Sequence, residues 1–486
     1  MAQHLRPEHG CTTSHWIAWR RTVPNTFAYT VLYLWPVLTA FGLRSLPLNR
    51  AIVCSGLAGF LLLPTAVIDL IGLPDLNKNS VVLIGIITTY MFHRRPREFN
   101  AITRESVWLM AGLLASALAT TLNNADPLLK PHLPVPGLTM YDALGMTFHN
   151  VLIVSVVMIG ARTLYRWEDH RELLILLGAA MVLYSPLVLL ELRLSPQLHA
   201  WIYGFAPFSF DQQMRSGGFR ASVFLSHGLV LAWFLVIGTT ALMALRRSRE
   251  RVFGLRPQFL SAYLGVILLL QKSLGALVIG GAFSLALLMR PRKQVALAAV
   301  IAAMFLAYPA VRGAGVVPVE WINSKVAEHS SERSGSFGTR LTNEDQLLAK
   351  ANQRPWFGWG GWGRARIFDP ETGRDISITD GYWIIVLGFS GWVGYLCQFG
   401  LICLPLLALY RYRRQVTRET AGVALILAAN LIDMIPNSSI TPITWLMAGA
   451  LAGTVAAARR SRTATRPAAL PGSSDGSWAA GAPALR

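Results

Sequence analysis

Residues 354–396 read RPWFGWGGWGRARIFDPETGRDISITDGYWIIVLGFSGWVGYL. Up to Trp383 the stretch holds four tryptophans and six glycines, with arginines first and acids after them. From Trp383 an apolar run continues to residue 409. A run of that length and polarity fits a helix crossing a bilayer, where only helices and closed barrels satisfy all their own backbone groups. The question is why so polar, aromatic and glycine-rich a stretch sits at the edge of such a run.

Similar runs recur near 27–43, 51–70, 80–92, 107–121, 147–165, 172–190, 221–245, 259–270, 271–289, 294–311, 420–434 and 440–457. The chain has 486 residues, 53% hydrophobic and 14% charged, with mean hydropathy +0.44. Soluble domains carry about 25% charged residues, and no single soluble core needs so many helix-length apolar runs. These features predict an all-α polytopic membrane protein with about 12–13 transmembrane helices and a large periplasmic loop carrying short helices. No cleavable signal peptide is expected. His4, Arg6, His9 and His15 precede Arg20 and Arg21, and no small-residue cleavage site follows.

The net charge of +19 is placed in short clusters between apolar runs, at 93–104, 246–256, 290–293, 411–418 and 458–466. That is the positive-inside pattern of cytoplasmic loops. A nucleic-acid footprint would collect on one soluble domain, so nucleic acid is not expected as a partner. With the basic clusters inside, loops 122–146, 192–220 and 313–380 face the periplasm of a bacterial inner membrane. Counting back puts the N-terminus outside despite Arg6, Arg20 and Arg21. Either one early run does not span, or the rule is broken there. Residues 61–80, with two prolines, Asp69, Asp75 and Lys78, are expected to hold an irregular re-entrant piece. The organisation expected is an N-terminal segment (1–26), transmembrane helices 1–10 (27–312), a periplasmic loop with the site elements (313–380), C-terminal transmembrane helices (381–458) and a disordered basic tail (459–486). The tail is rich in Ala, Pro, Gly and Ser and has little to bury.

The longest outside loop holds nine Lys/Arg, Arg312 included, and nine Asp/Glu. That balance separates it from the basic inside loops, and long ordered loops are usually functional. Within it, 338–355 reads as a short amphipathic helix with Leu341, Leu347, Leu348 and Ala351 near one face, closed by Pro355. FGWGGWG (357–363) fits neither helix nor regular strand. Its glycines permit close backbone approach and its tryptophans suit a membrane interface.

Arginines outside run against the topology bias, so each needs a reason. Arg215 and Arg220 lie where a loop enters a helix, Arg340 lies in FGTR, and Arg354, Arg364 and Arg366 flank the tryptophan–glycine stretch. Guanidinium groups bind phosphate bidentately and keep their charge at a membrane surface. A group of them suggests a lipid diphosphate site; pairing with outside acids such as Glu332 and Asp369, or with headgroups, is the structural alternative. Asp380 opens the apolar run and reads either as a helix cap or as a proton acceptor for an attacking hydroxyl. His227 and Lys272 lie within apolar runs, where ionisable groups are rare. His227 is two turns from Arg220 if that segment is helical, and is otherwise a packing residue. Lys272 marks a break between two short helices or snorkels to a surface. Four cysteines with no CxxC and no Cys/His ligand spacing predict neither a disulfide framework nor a metal site. No phosphate-binding G-x-x-x-x-G-K-[ST] loop occurs, so an ATP-driven pump is not expected.

Residues 337–396 resemble the signature region of the O-antigen ligase and O-antigen polymerase superfamily. The resemblance rests on Arg340, a short helix, Pro355, the turn Phe357-Gly358-Trp359-Gly360, the pair Asp380-Gly381, and the step Gly388-Phe389-Ser390-Gly391. RSGGFRASVFLSHGL (215–229) also resembles the family's upstream arginine–glycine segment. The resemblance implies transfer of a glycan from an undecaprenyl-diphosphate-linked donor to an acceptor hydroxyl at the periplasmic face, with no metal, nucleotide or other cofactor. It implies Arg215 or Arg220 together with Arg340 as diphosphate-binding residues. Read from the residues themselves, the candidate site takes Arg340 and Asp380 as catalytic and His227, Arg364, Arg366, Trp359 and Trp362 as support. Trp356, Trp359, Trp362 and Trp383 would stack on sugar rings or isoprenoid, with the whole stretch forming part of a lid. Family ligases tend to open the helix with histidine where this chain has Asp380. That departure favours an O-antigen or exopolysaccharide polymerase, with a ligase to lipid A core as the alternative. The partners implied are the lipid-linked donor, a glycan or lipid A core acceptor and membrane lipids.

Two other classes compete. A glycan or solute transporter would place its site at mid-membrane, often between matched repeats with broken helices; no repeat is evident here. A structural membrane protein would show no convergent arginines.

Overall fold

The structure, a computed structural model, describes residues 23–69, 74–93, 102–128, 135–207, 213–215, 218–315, 331–369 and 371–464, without the side chains of 215, 331–337, 339–341 and 462–464. Arg215 and Arg340 are therefore placed by their backbones alone. The N-terminal arginines and the tail beyond 464 lie outside the described residues.

Every apolar run becomes a helix. In chain order they are α1 (Thr26–Gly42), α2 (Leu48–Leu62), α3 (Lys78–Phe92), α4 (Arg104–Leu122), α5 (Met140–Thr163), α6 (Trp167–Leu194), the short α7 (Leu198–Tyr203), α8 (Gly228–Ala244), α9 (Pro257–Leu270), α10 (Leu274–Ala286) and α11 (Pro291–Gly313). Then come the loop helix α12 (Ser331–Ala351), α13 (Tyr382–Leu409), α14 (Arg418–Asp433) and α15 (Pro442–Ala464). Polar N-caps start several of them: the Asn25, Asn77, Thr103 and Thr417 side chains each accept a backbone N–H of the first turn. One small antiparallel ribbon joins β1 (Met214–Arg215) to β2 (Gly218–Phe219). The protein is an all-α polytopic membrane protein. Five helices, α4, α5, α6, α11 and α13 (the last extended to Tyr412), are long and apolar enough to cross a bilayer unaided. Six others are apolar but shorter.

The long helices alternate in direction between two ends of the bundle. At one end Asn25 N–H donates to Tyr203 O, Lys78 Nζ to Phe224 O, Asn124 Nδ2 to Gly358 O and Tyr382 N–H to Met434 O. At the other, Arg50 pairs with Glu172, Arg171 with Glu250 and Arg459 with Glu105. The first is the loop end and the second the basic end. Residues 23–25 fall at the loop end, as counting back through the runs predicts.

Three boundaries differ from expectation. The run 221–245 becomes helical only at Gly228. The loop helix starts at Ser331, seven residues before the amphipathic pattern, and buries Leu347, Leu348 and Ala351 as that pattern predicts. The last helix continues to Ala464, into the stretch read as tail. The irregular piece within 61–80 is present: α2 stops at Leu62, and Ile68 exchanges hydrogen bonds of 2.9 Å with Leu76 before α3 begins.

The tryptophan–glycine stretch explains a break in α13. Gly391 has φ 62° and ψ −167°, which interrupts the helix. A broken helix frees carbonyls before the break and N–H groups after it, and inside a membrane each unpaired group is costly. The turn 355–360 supplies partners for four of them. Trp359 N–H donates to Gly388 O and Gly360 N–H to Phe389 O, both at 2.8 Å. Trp392 N–H donates to Pro355 O at 2.7 Å and Val393 N–H to Trp356 O at 3.1 Å. The glycines are needed for this approach. A Cβ on Gly358 would lie 2.6 Å from Gly391 N, and one on Gly391 would lie 2.4 Å from the Trp356 carbonyl carbon. The Pro355-to-Gly360 turn therefore closes a helix break.

Candidate active site

Two groups of charged side chains gather at the loop end. The first surrounds Arg220. Residues 220–227 are not helical, so Arg220 and His227 do not share a helix face; this corrects the two-turn spacing expected from the sequence. The cause lies outside the segment. Glu191, buried at the end of α6, accepts the N–H groups of Leu198, Ser222 and Val223 at 3.0, 2.9 and 2.7 Å. Tyr184 Oη accepts Phe224 N–H at 3.1 Å, and Lys78 Nζ donates to Phe224 O at 2.8 Å. Val223 takes φ 52° as a result. With these backbone groups claimed by side chains, the segment stays extended and buried. His227 then serves as the N-cap of α8, its Nδ1 accepting Leu229 N–H at 3.1 Å.

Arg220 is buried, its stem lying over Gly228 and its guanidinium donating to Lys272 O at 3.3 Å. Lys272 stands at the tip between α9 and α10 with φ 55° and is exposed, so it marks the expected break. Gln271 Nε2 donates to Ala221 O and Gly228 O. Both amide atoms of Gln213, which is fully buried, and the Oε1 of Gln271 have no partner among the described residues. Polar atoms left open beside a buried arginine leave capacity for a polar ligand. Arg215 lies on β1 of the same ribbon, two residues past Gln213.

The second group lies where the end of α11, the loop helix α12 and the start of α13 meet. Arg312, 6% exposed, ends α11 and pairs with Asp345 at 2.8 Å, with Glu344 at 4.0 Å. Trp383 is fully buried and meets the Tyr308 ring edge-on at 4.9 Å. Burial pushes the Glu344 carboxyl up to about 7; Asp345 and Asp380 push the same way, and Arg312 and Trp383 oppose them. Asp380 therefore stands within electrostatic reach of Glu344. It does not head the helix: the N-cap of α13 is Gly381, no side chain caps it, and Tyr382 N–H goes to Met434 O and Asn437 O instead. Asn343 Oδ1 accepts Ile378 N–H at 3.0 Å and ties the approach to Asp380 onto α12. Arg340 stands one helical turn before Glu344 on α12.

The arginines flanking the tryptophan–glycine stretch are engaged by acids other than the Glu332 and Asp369 named from the sequence. Arg354 forms a bidentate pair with Asp126 and also bonds Asn124. Arg364, with no exposed surface, donates to Pro136 O at 2.9 Å and lies 3.6 Å from Asp126. The hydrogen bond from Arg354 holds Asp126 below the usual carboxylate range. Arg366 pairs with Asp375 at 2.6 Å across a small turn. Trp359 is buried, with Lys350 Nζ 3.5 Å from its ring centre and its own N–H on Lys350 O. Trp362 is 64% exposed and pins the loop to Asp142 at 2.7 Å; Trp356 is exposed too. Arg364, Arg366, Trp359 and Trp362 thus hold the loop in shape.

The structure therefore brings Asp380 to Glu344 and Arg312 on elements next to Arg340, and brings Arg220 to Lys272 and Gln213. Arg312, Glu344, Gln213 and Glu191 were not singled out in the sequence. Burial distinguishes them, and a polar residue in a polar loop or at a helix end carries no local mark of burial.

Fold and site together define a polytopic membrane protein with a charged, partly buried cluster at the loop end of its bundle. A family model described as O-antigen ligase matches residues 259–399, from α9 to the broken helix α13. The match supports the O-antigen ligase and polymerase superfamily, the family that the motif residues resemble, and it takes in Arg312, Arg340, Glu344 and Asp380. No curated protein matches the chain.

Proposed function

We propose that the chain is a glycan polymerase. It transfers oligosaccharide from an undecaprenyl-diphosphate-linked donor to a hydroxyl of an acceptor glycan at the periplasmic face of a bacterial inner membrane, building O-antigen or exopolysaccharide. The observation that carries this reading is the family match over 259–399, because one stretch within it holds Arg340 and Glu344 on α12 and Asp380 just before α13.

The chemistry asks little of the protein. The bond between the sugar C1 and the diphosphate oxygen breaks, and a bond from C1 to the acceptor oxygen forms. The lipid diphosphate leaves with the electron pair, and the acceptor proton passes to a carboxylate. Arginines stabilise the charge on the leaving group, a role for Arg340 with Arg215 or Arg220. Asp380, partly exposed, takes the proton. The Glu344–Arg312 pair behind it sets the local field and fixes α12 against α11. Neither metal nor nucleotide is required, because the donor is already activated.

Arg340→Ala should abolish long-chain glycan on a gel while the protein stays in the membrane. Unchanged chain length in that variant would remove the enzyme reading in favour of a transporter or scaffold. A second reading is ligation to lipid A core, which the name of the matching family favours. Asp380, where family ligases tend to have histidine, favours the polymerase. Loss of chain length with lipid A still decorated by single units supports polymerase; loss of all glycan on lipid A supports ligase.

A further inference from the structure

At the basic end, far from the site just described, α8 and α10 finish and α11 and α14 begin around one cavity. Its volume is about 70 Å³. Arg246, Arg247, Arg290 and Arg418 line it together with Gln294 and the turn residues 287–291. Among the described residues no acid lines it, and Glu419, the neighbour of Arg418, is not part of the lining. Among the described residues no ion pair involves any of these four arginines. Arg246 donates to Leu287 O at 2.7 Å, and Gln294 Nε2 donates to Leu287 O and Met289 O. The negative C-terminal end of α10 is thereby covered. The N-termini of α11 and α14, 23 and 16 residues long, carry Arg290 as N-cap and Arg418 as first residue. Their positive ends add to the four guanidinium charges.

Like charges crowded around an unfilled space repel one another. Partial burial lowers the Arg246 pKa, and the nearby charges of Arg247 and Arg418 lower it further. Gln294 is 3% exposed, and its Oε1 has no donor among the described residues. An anion with several oxygens would relieve the first strain, and a hydroxyl beside it would answer the second. A basic cavity between helix ends at a membrane surface is the setting in which phospholipid headgroups are held.

We infer that this cavity binds a phosphate group, carried by an anionic phospholipid headgroup, between Arg246, Arg247, Arg290 and Arg418. The site is distinct from the loop-end cluster and needs no transferase activity to be tested.

The experiment is native mass spectrometry of the purified full chain titrated with phosphatidylglycerol, with phosphatidylcholine as the zwitterionic comparison and inorganic phosphate as competitor. Phosphatidylglycerol should be retained in preference to phosphatidylcholine. The double variant Arg290→Gln/Arg418→Gln should weaken that retention about thirty-fold, from two lost headgroup charges. Arg290→Lys/Arg418→Lys should retain it within a few-fold, which separates lost charge from lost folding. Arg414→Gln, in the same basic loop but outside the cavity, should leave it unchanged. Displacement of the lipid by millimolar phosphate would support a site for the phosphate itself; resistance to it would support the lipid as source. Equal retention of the two lipids, or wild-type retention by the glutamine pair, overturns the inference.

Discussion

Replacing Gly391 with alanine tests whether the turn 355–360 closes the break in α13. Its backbone at φ 62° and ψ −167° lies in a region open essentially to glycine, so a side chain there costs about 1–3 kcal/mol. The new methyl carbon would fall 2.4 Å from the Trp356 carbonyl carbon and 2.5 Å from its oxygen. Both are backbone atoms and cannot swing aside as a side chain would. Forcing a methyl into packed structure adds about 1–3 kcal/mol. If the turn is pushed away, the four backbone hydrogen bonds it makes to α13 weaken as well, each worth about 1 kcal/mol. The total is about 4 kcal/mol or more. At about 2 °C per kcal/mol for a large protein, thermal unfolding followed by tryptophan fluorescence in detergent should fall by about 8 °C. Gly361→Ala is the internal comparison. Its added carbon meets only Phe389 Cε2, at 3.7 Å, and its melt should stay within about 1 °C of wild type by ordinary contact. If Gly391→Ala melts with the wild type, or if the two variants fall together, the turn does not hold the helix break and the reasoning fails.

Glu344, raised from 4.5 to about 7, binds its proton more tightly when folded. The stability this gives is fully present below pH 4.5 and is lost as pH rises through about 7, a change of about 3 kcal/mol. Wild type should therefore melt lower at pH 7.5 than at pH 5 by more than Glu344→Gln does; equal pH slopes would show that the carboxyl is not buried as described. Asp126→Ala leaves the buried Arg364 and its neighbour Arg354 without their carboxylate and should cost about 2 kcal/mol, read as a melt about 4 °C lower; an unchanged melt would mean the pairing carries no energy. Asp380→Asn should slow glycan transfer by about 100-fold or more if the carboxylate takes the acceptor proton, whereas a rate near wild type leaves it without a chemical role.

The loop-end sites show where local and long-range information part. Lys272 was legible as a helix break because a lysine within an apolar run is anomalous by itself. Arg340 and Asp380 were legible through the motif they belong to. Glu344 was not, since it sits in TNEDQ among residues that all read as solvated. It becomes special only because α11 brings Arg312 against it and its carboxyl is buried beside Trp383. The spacing of Arg220 and His227 misled for the same reason. Taken alone, 221–227 is apolar enough for a helix, but Glu191, about thirty residues earlier, accepts the N–H groups of Ser222 and Val223 and holds the segment open.

What the amino-acid order determined unaided is the set of membrane helices and the side on which arginine collects. Hydrophobicity and charge are summed over neighbouring residues, and a bilayer reads that sum directly. Packing alone decided that Pro355 to Gly360 should close a broken helix, that Asp126 should hold the arginines of the loop, and that Glu344 should lie beside Asp380. Hydrogen-bond satisfaction and burial depend on which distant backbone arrives at a given point, and no window along the chain contains that partner.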